Sequence, residues 1–140
     1  MFRIIPEGLE YHEHVLLKDG QGIFLKPAVE KDIPIVDSFM KRLSRESLRM
    51  RFMASISEVS QSHIKDLCSS DFKERGCLLA ITGEKKDSRV IGLGNYVAIG
   101  NGHTAEVAFL IEDKYQGKGI STVLIERLAG LAAANGFIDL

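Results

Sequence analysis

The six residues Gln116-Gly117-Lys118-Gly119-Ile120-Ser121 do most to narrow what this chain can fold into. They follow an apolar stretch of strand length, Thr104–Ile111. They open a run, Gly119–Asn135, whose apolar residues Ile120, Val123, Leu124, Leu128, Leu131 and Ala132 recur at helical spacing. The order is therefore strand, short loop, helix. Gly117 and Gly119 remove side chains where the backbone must turn and approach a ligand closely. The first amides of the helix have no intrahelical acceptor, and the positive end of its dipole points into the loop. A diphosphate fits such a place, accepting hydrogen bonds from successive backbone N–H groups. Lys118 either adds a positive charge nearby or lies on the solvated rim.

Two familiar phosphate loops are excluded. The dinucleotide fingerprint requires G-x-G-x-x-G, but Thr122 stands where its third glycine belongs. The string G-x-x-x-x-G-K-[ST] is absent.

The remaining residues describe one domain built around this unit. At 140 residues the chain is long enough for a substantial core without disulfides or metal. A net charge of −1 gives no field that argues for nucleic acid. Cys68 and Cys77 form no C-x-x-C pair and have no histidine cluster around them, so they read as reduced, buried thiols of a cytoplasmic protein. The first residues lack the pattern of a secretory signal, and no apolar run reaches the roughly 18 residues of a membrane span.

Residues 1–14 read as an N-terminal arm, and 15–140 as the domain. Val15–Lys18 and Gly22–Lys26 flank an Asp19-Gly20 turn, predicting a hairpin. Asp32 reads as the N-cap of a helix with Pro34 in its first turn and Lys41 and Arg42 near its end. Ser44 and Ser60 are suited to cap two further helices, the second burying Ile64 and Leu67. Cys77–Thr82, Arg89–Ala98 (interrupted by Gly92 and Gly94) and Thr104–Ile111 read as strands. The connections are too short for parallel crossovers, so these strands form an antiparallel meander. Gly136 is placed to end the long helix.

Glu106 is the candidate catalytic residue. Strand alternation puts it with Ala108 on one face and Val107 with Phe109 on the other. A carboxylate between apolar neighbours holds a proton more readily and can take one from an amine, directly or through water. The competing reading is a solvated strand residue. His12 and His14 would share a strand face, with too few further ligands nearby for a metal. His63 and His103 read as surface positions. Arg45, Arg49 and Arg51 form either a solvated basic face or a contact for an acidic substrate. Tyr115 is expected beneath the loop.

The string Gln116–Ser121 resembles the acyl-CoA loop Q/R-x-x-G-x-G/A of the GNAT superfamily of N-acetyltransferases, with Ser121 replacing the final small residue. Its flanks, Ala105-Glu106-Val107-Ala108 before and Thr122–Leu128 after, agree. Asp19-Gly20, Phe24–Pro27, Leu43–Ser47 and Arg51-Phe52 resemble the branch of lysine acetyltransferases associated with acyl-CoA synthetases. The resemblance implies an α+β fold with a mostly antiparallel mixed sheet flanked by helices. It implies acetyl-CoA as cosubstrate, no metal, and transfer of the acetyl group to an amine, a protein lysine first among acceptors. It assigns Glu106 as general base. Main-chain contacts from Phe109, Leu110 and Ile111 would hold the pantetheine arm, and Gln116, Gly117, Lys118, Gly119, Ile120 and Ser121 the diphosphate.

The family pattern continues beyond Gly136 with further strands and a helix carrying a tyrosine as general acid, whereas this sequence ends at Leu140. A domain incomplete at its C-terminus is expected from that comparison, with an open sheet edge that favours association between copies. A small-molecule amine acetyltransferase and a non-catalytic acyl-CoA-binding regulatory domain are the other readings.

Overall fold

Five strands form where apolar residues alternate or run together between turn residues. They are β1 Glu13–Leu16, β2 Gly22–Pro27, β3 Arg75–Thr82, β4 Arg89–Ile99 and β5 Thr104–Ile111. The computed structural model that shows them describes residues 11–43, 61–83, 87–100 and 103–137. The strands lie in sequence order, β1-β2-β3-β4-β5, and all four pairings are antiparallel. The sheet is a meander: the short β1–β2, β3–β4 and β4–β5 connections require antiparallel pairs, whereas β2 and β3 are joined through residues 28–74. Residues 1–10, 84–86, 101–102 and 138–140 lie outside the described residues. So do the segment expected as a helix from Ser44 to Phe52, with Arg45, Arg49 and Arg51, the cap at Ser60, and the side chain of His63.

The β1–β2 hairpin turns at Asp19-Gly20. Gly20 has φ of +89°, and the Asp19 carboxylate accepts the Gln21 N–H at 3.0 Å. Strand β1 begins at Glu13, inside the stretch read as an arm. The reason is a long-range partner: Arg127 donates to both Glu13 oxygens, at 2.7 and 2.9 Å, and the Tyr11 hydroxyl also donates to Glu13. Across the same hairpin His12 and His14 lie against the Phe24 ring, with centroids 5.7 and 4.8 Å away.

Helix α1, Ile33–Arg42, and helix α2, Gln61–Leu67, cover one face of the sheet, and α3, Ile120–Ala134, covers the other. Phe39, Val36, Ile64 and Leu67 close one core over Cys77, Leu79, Leu93 and Leu110. Burial pushes the Cys68 thiol in this core up to about 11, and the charge of Asp32 adds to the shift, so it stays protonated. Asp32 occupies the N-cap position of α1 without capping it. A 3-10 turn, Glu30–Asp32, holds it at φ −89° and ψ −3°, outside the extended backbone that a cap needs. Its carboxylate turns back instead, to the Val29 N–H at 2.9 Å and the Lys26 ammonium.

Ile120, Leu124, Leu128 and Leu131 of α3 close the second core over Leu25, Leu78, Ile91 and Tyr96. Each such side chain contributes about 2 kcal/mol by leaving water. Gly92 and Gly94 do not interrupt β4; they let α3 approach it. A Cβ on Gly94 would lie 2.8 Å from Leu128 Cδ1 and 3.5 Å from Leu124 Cβ. Gly94→Val is expected to destabilise the domain by about 2–3 kcal/mol through overpacking, read as a lowered unfolding midpoint. An unchanged midpoint would mean that α3 sits farther from the sheet. Among the described residues no helix is long and apolar enough to cross a membrane.

Candidate functional site

Strand β5 ends the sheet, so among the described strands its outer edge has no neighbour. The alternation of the antiparallel ladder shows which groups face that edge. Glu112, just past β5, donates its N–H inward to Ile91 O at 2.8 Å. Residues 110 and 108 share that inward direction. Ile111, Phe109 and Val107 therefore turn their N–H and C=O groups to the open side. Of the three consecutive residues expected to contact a ligand through the main chain, Phe109 and Ile111 present backbone groups outward, while Leu110 is buried against α1.

The chain leaves β5 through a 3-10 turn, Asp113–Tyr115, and enters the loop. Gln116 anchors the loop to the strand, donating from Nε2 to Ile111 O at 3.2 Å. Gly117 and Gly119 have φ of +81° and +89°, and a Cβ at either would meet nothing within 4 Å. These glycines serve backbone conformation and leave open space before the helix; neither relieves crowding. The first ladder bond of α3 runs from Val123 N to Gly119 O at 3.2 Å. The N–H groups of residues 119–122 thus have no intrahelical acceptor. Lys118 lies on the rim, its ammonium 2.8 Å from the Asp19 carboxylate of the β1–β2 turn. It does not line the cleft.

Strand edge and helix start border one open cleft of about 920 Å3. Its lining runs from Glu106 to Ile111, through Tyr115, Gln116, Gly117 and Gly119, to Ile120, Ser121 and Thr122. An extended ligand fits this shape, with hydrogen-bonding groups along its stem beside β5 and an anionic group at the helix start. Val107, Ala108 and Thr122 also line it and were not singled out from sequence. Counting amides from Gly119 would have found Thr122, the last without an intrahelical acceptor.

Glu106 is the one carboxylate among the described lining residues. Alternation places it as expected. Ala105 and Val107 pack toward α3, Leu110 toward α1, and Glu106 shares the α1 face. It is exposed rather than enclosed by apolar neighbours.

Glu112, which the sequence did not mark, fixes the end of β5. This buried carboxylate accepts from Arg42 Nε at 3.1 Å and from Arg89 at 2.6 Å, and Arg42 also donates to Val90 O at 2.6 Å. Burial pushes its pKa up, but the hydrogen bonds from Arg89 and then Arg42 outweigh that and hold it below the usual glutamate value. Three charges from three elements meet just before the loop, and nothing local in the sequence pairs them.

The family model described as "Acetyltransferase (GNAT) family" matches residues 40–140. The chain is 31% identical, over 121 residues, to the acetyltransferase PA5475 of Pseudomonas aeruginosa; the match covers 86% of this chain and 65% of that protein. The GNAT domain of S. lividans PAT superposes with a TM-score of 0.81 at 30% identity, over 90% of this chain and 74% of that one. A cAMP-binding acyltransferase from Mycobacterium smegmatis superposes with a TM-score of 0.59 at 26% identity, over 91% of this chain and 36% of the longer one. The chain thus spans somewhat less than two thirds of its curated relative. The open-edged β5, the glycine loop and the start of α3 fall inside the matched residues, and the chain belongs to the GNAT acetyltransferase family.

Proposed function

We propose that the protein moves the acetyl group of acetyl-CoA to a primary amine, with a protein lysine as acceptor and Glu106 as general base. The observation that carries the proposal is the single cleft joining three parts: the open edge of β5, the unpartnered amides of α3 and the Glu106 carboxylate. The lysine acceptor is supported by the likeness of Leu43–Ser47 and Arg51-Phe52 to lysine acetyltransferases. The 30% identity with the PAT domain is consistent with it.

The cofactor supplies an acetyl thioester. Outward backbone groups of Phe109 and Ile111 pair with its pantetheine arm as an added strand would, and amides 119–122 hold the diphosphate. Gln116 keeps the loop against the strand, and Ser121 offers its amide. Glu106 takes a proton from the acceptor ammonium. The nitrogen then bonds to the thioester carbon, the C–S bond breaks, and the leaving thiolate takes up the proton that the nitrogen sheds as the amide forms. An outward N–H of β5 is suited to the developing oxyanion.

Gly119→Val tests the cofactor assignment. Its side chain would enter the space before the amides and strain a backbone at φ +89°. Acetyl-CoA affinity is expected to fall tenfold or more, about 1.4 kcal/mol. Gly100→Val is the control. Gly100 also has positive φ and open space around it, in a turn away from the cleft, so affinity should hold there. Calorimetry showing equal affinity for a folded Gly119→Val protein would remove the assignment.

A further inference from the structure

A second depression adjoins the cleft on the α1 and α2 side of the sheet. It has a volume of about 260 Å3 and is bordered by Asp66, Leu67, Arg75, Cys77, Asn95 and Val97. The sheet register ties it to Glu106. Arg75 is opposite Val97 on β3 and β4, and Val97 is opposite Glu106 on β4 and β5. Residues directly opposite point to the same face, so the three side chains form one row. With strands about 4.8 Å apart, Arg75 stands roughly 10 Å from Glu106. The Glu106–Val97 pair is the boundary between the two depressions, because Glu106 lines the larger and Val97 the smaller.

We infer that this pocket receives the residue next to the reacting lysine, and that Arg75 selects acceptors carrying a carboxylate there. The inference rests on the acetyl-transfer reading above and names its acceptor more closely. An amine at Glu106 directs the rest of its molecule along the row. Val97, 40% exposed, offers apolar surface for aliphatic carbon. Beyond it stands the Arg75 guanidinium, whose fork of donors matches a carboxylate. Its backbone is held by a turn in which the Asp71 carboxylate accepts the N–H groups of Lys73, Glu74 and Arg75 at 2.9, 2.9 and 3.2 Å. Among the described residues the ion pair of Arg75 is with Asp66, at 3.5 Å, and both side chains are at least a third exposed. Such a pair is weak and gives way to a better placed carboxylate. The volume is below that of sites for whole small ligands and suits a single side chain.

Three peptides that differ only in the residue beside one lysine, Glu, Gln or Arg, test this on the full chain. Acetylation kinetics give KM and kcat, and fluorescence anisotropy with CoA present gives peptide affinity. The Glu peptide should show KM about threefold to fivefold below the Gln peptide, with kcat unchanged. Arg75→Gln should erase the difference, and Asp66→Asn, which releases Arg75, should widen it. Unfolding midpoints and acetyl-CoA affinity check that both variants are intact. Equal KM for Glu and Gln peptides, a preference that survives Arg75→Gln, or tightest binding of the Arg peptide would overturn the pocket assignment while leaving acetyl transfer in place. An Arg75-dependent preference in anisotropy without acetylation would support the pocket and remove the transfer reading.

Discussion

Glu106→Gln is expected to lower turnover about a hundredfold at neutral pH, the usual loss for a positioned base. The exchange keeps side-chain shape and removes the proton acceptor. Glu106 is exposed, so the unfolding midpoint should not move. Its carboxylate lies on the α1 face, whereas the groups assigned to the cofactor are backbone amides and carbonyls, so acetyl-CoA affinity should hold too. The deficit should shrink as pH rises toward about 10, where a lysine ammonium loses its proton unaided. Equal turnover by the two proteins near pH 7 would show that the amine is deprotonated elsewhere.

Glu112→Ala should act on stability instead. It leaves Arg42 and Arg89, drawn together by one buried carboxylate, without their counter-charge. Breaking a fully buried pair costs about 3–5 kcal/mol; with the arginines about a third exposed, about 2–3 kcal/mol is expected. For a chain of this size that is a fall of roughly 6–12 °C in Tm. The pH dependence has a definite sign. Because the folded-state pKa of Glu112 is lowered, its contribution is fully present above the ordinary glutamate value. It is lost as pH falls through the lowered one. The gap between the two proteins should therefore close below about pH 4. Thermal melts that coincide at pH 7 would show the cluster to be energetically neutral.

What the sequence revealed, it revealed through local chemistry. The strands β2, β3, β4 and β5 followed from apolar stretches of strand length and, for β2, from the turn at Asp19-Gly20. The cleft was legible because its two halves, β5 and the start of α3, are neighbours in the chain, and because Gly117 and Gly119 announce positive φ. What depends on distant residues was hidden. Arg42 read as a favourable charge at a helix end, yet it spans to Glu112, 70 positions away. Asp32 read as a cap because its type and place are right, but a preceding 3-10 turn redirects it to Lys26. Gly92 and Gly94 read as breaks because single-strand propensity carries no information about a helix packed above them. Glu106 was placed on the correct face by alternation, but its exposure depends on how far neighbouring elements reach across the sheet.

The ties between the hairpin and α3 bear on how the molecule assembles. Asp19 holds Lys118 across 99 positions, and Glu13 holds Arg127 across 114. Closing contacts of that sequence separation costs chain entropy before they reward it, and they place a fold among the slower ones. Helix α3 emerges from the ribosome after every strand described here, and only its arrival gives the strand edge a wall to face. Docking of α3 is thus the step that creates the cleft, so a chain with a complete sheet but an undocked α3 would still be blind to its ligand. By mass action, a ligand that recognises only the finished cleft would draw late intermediates toward the native state.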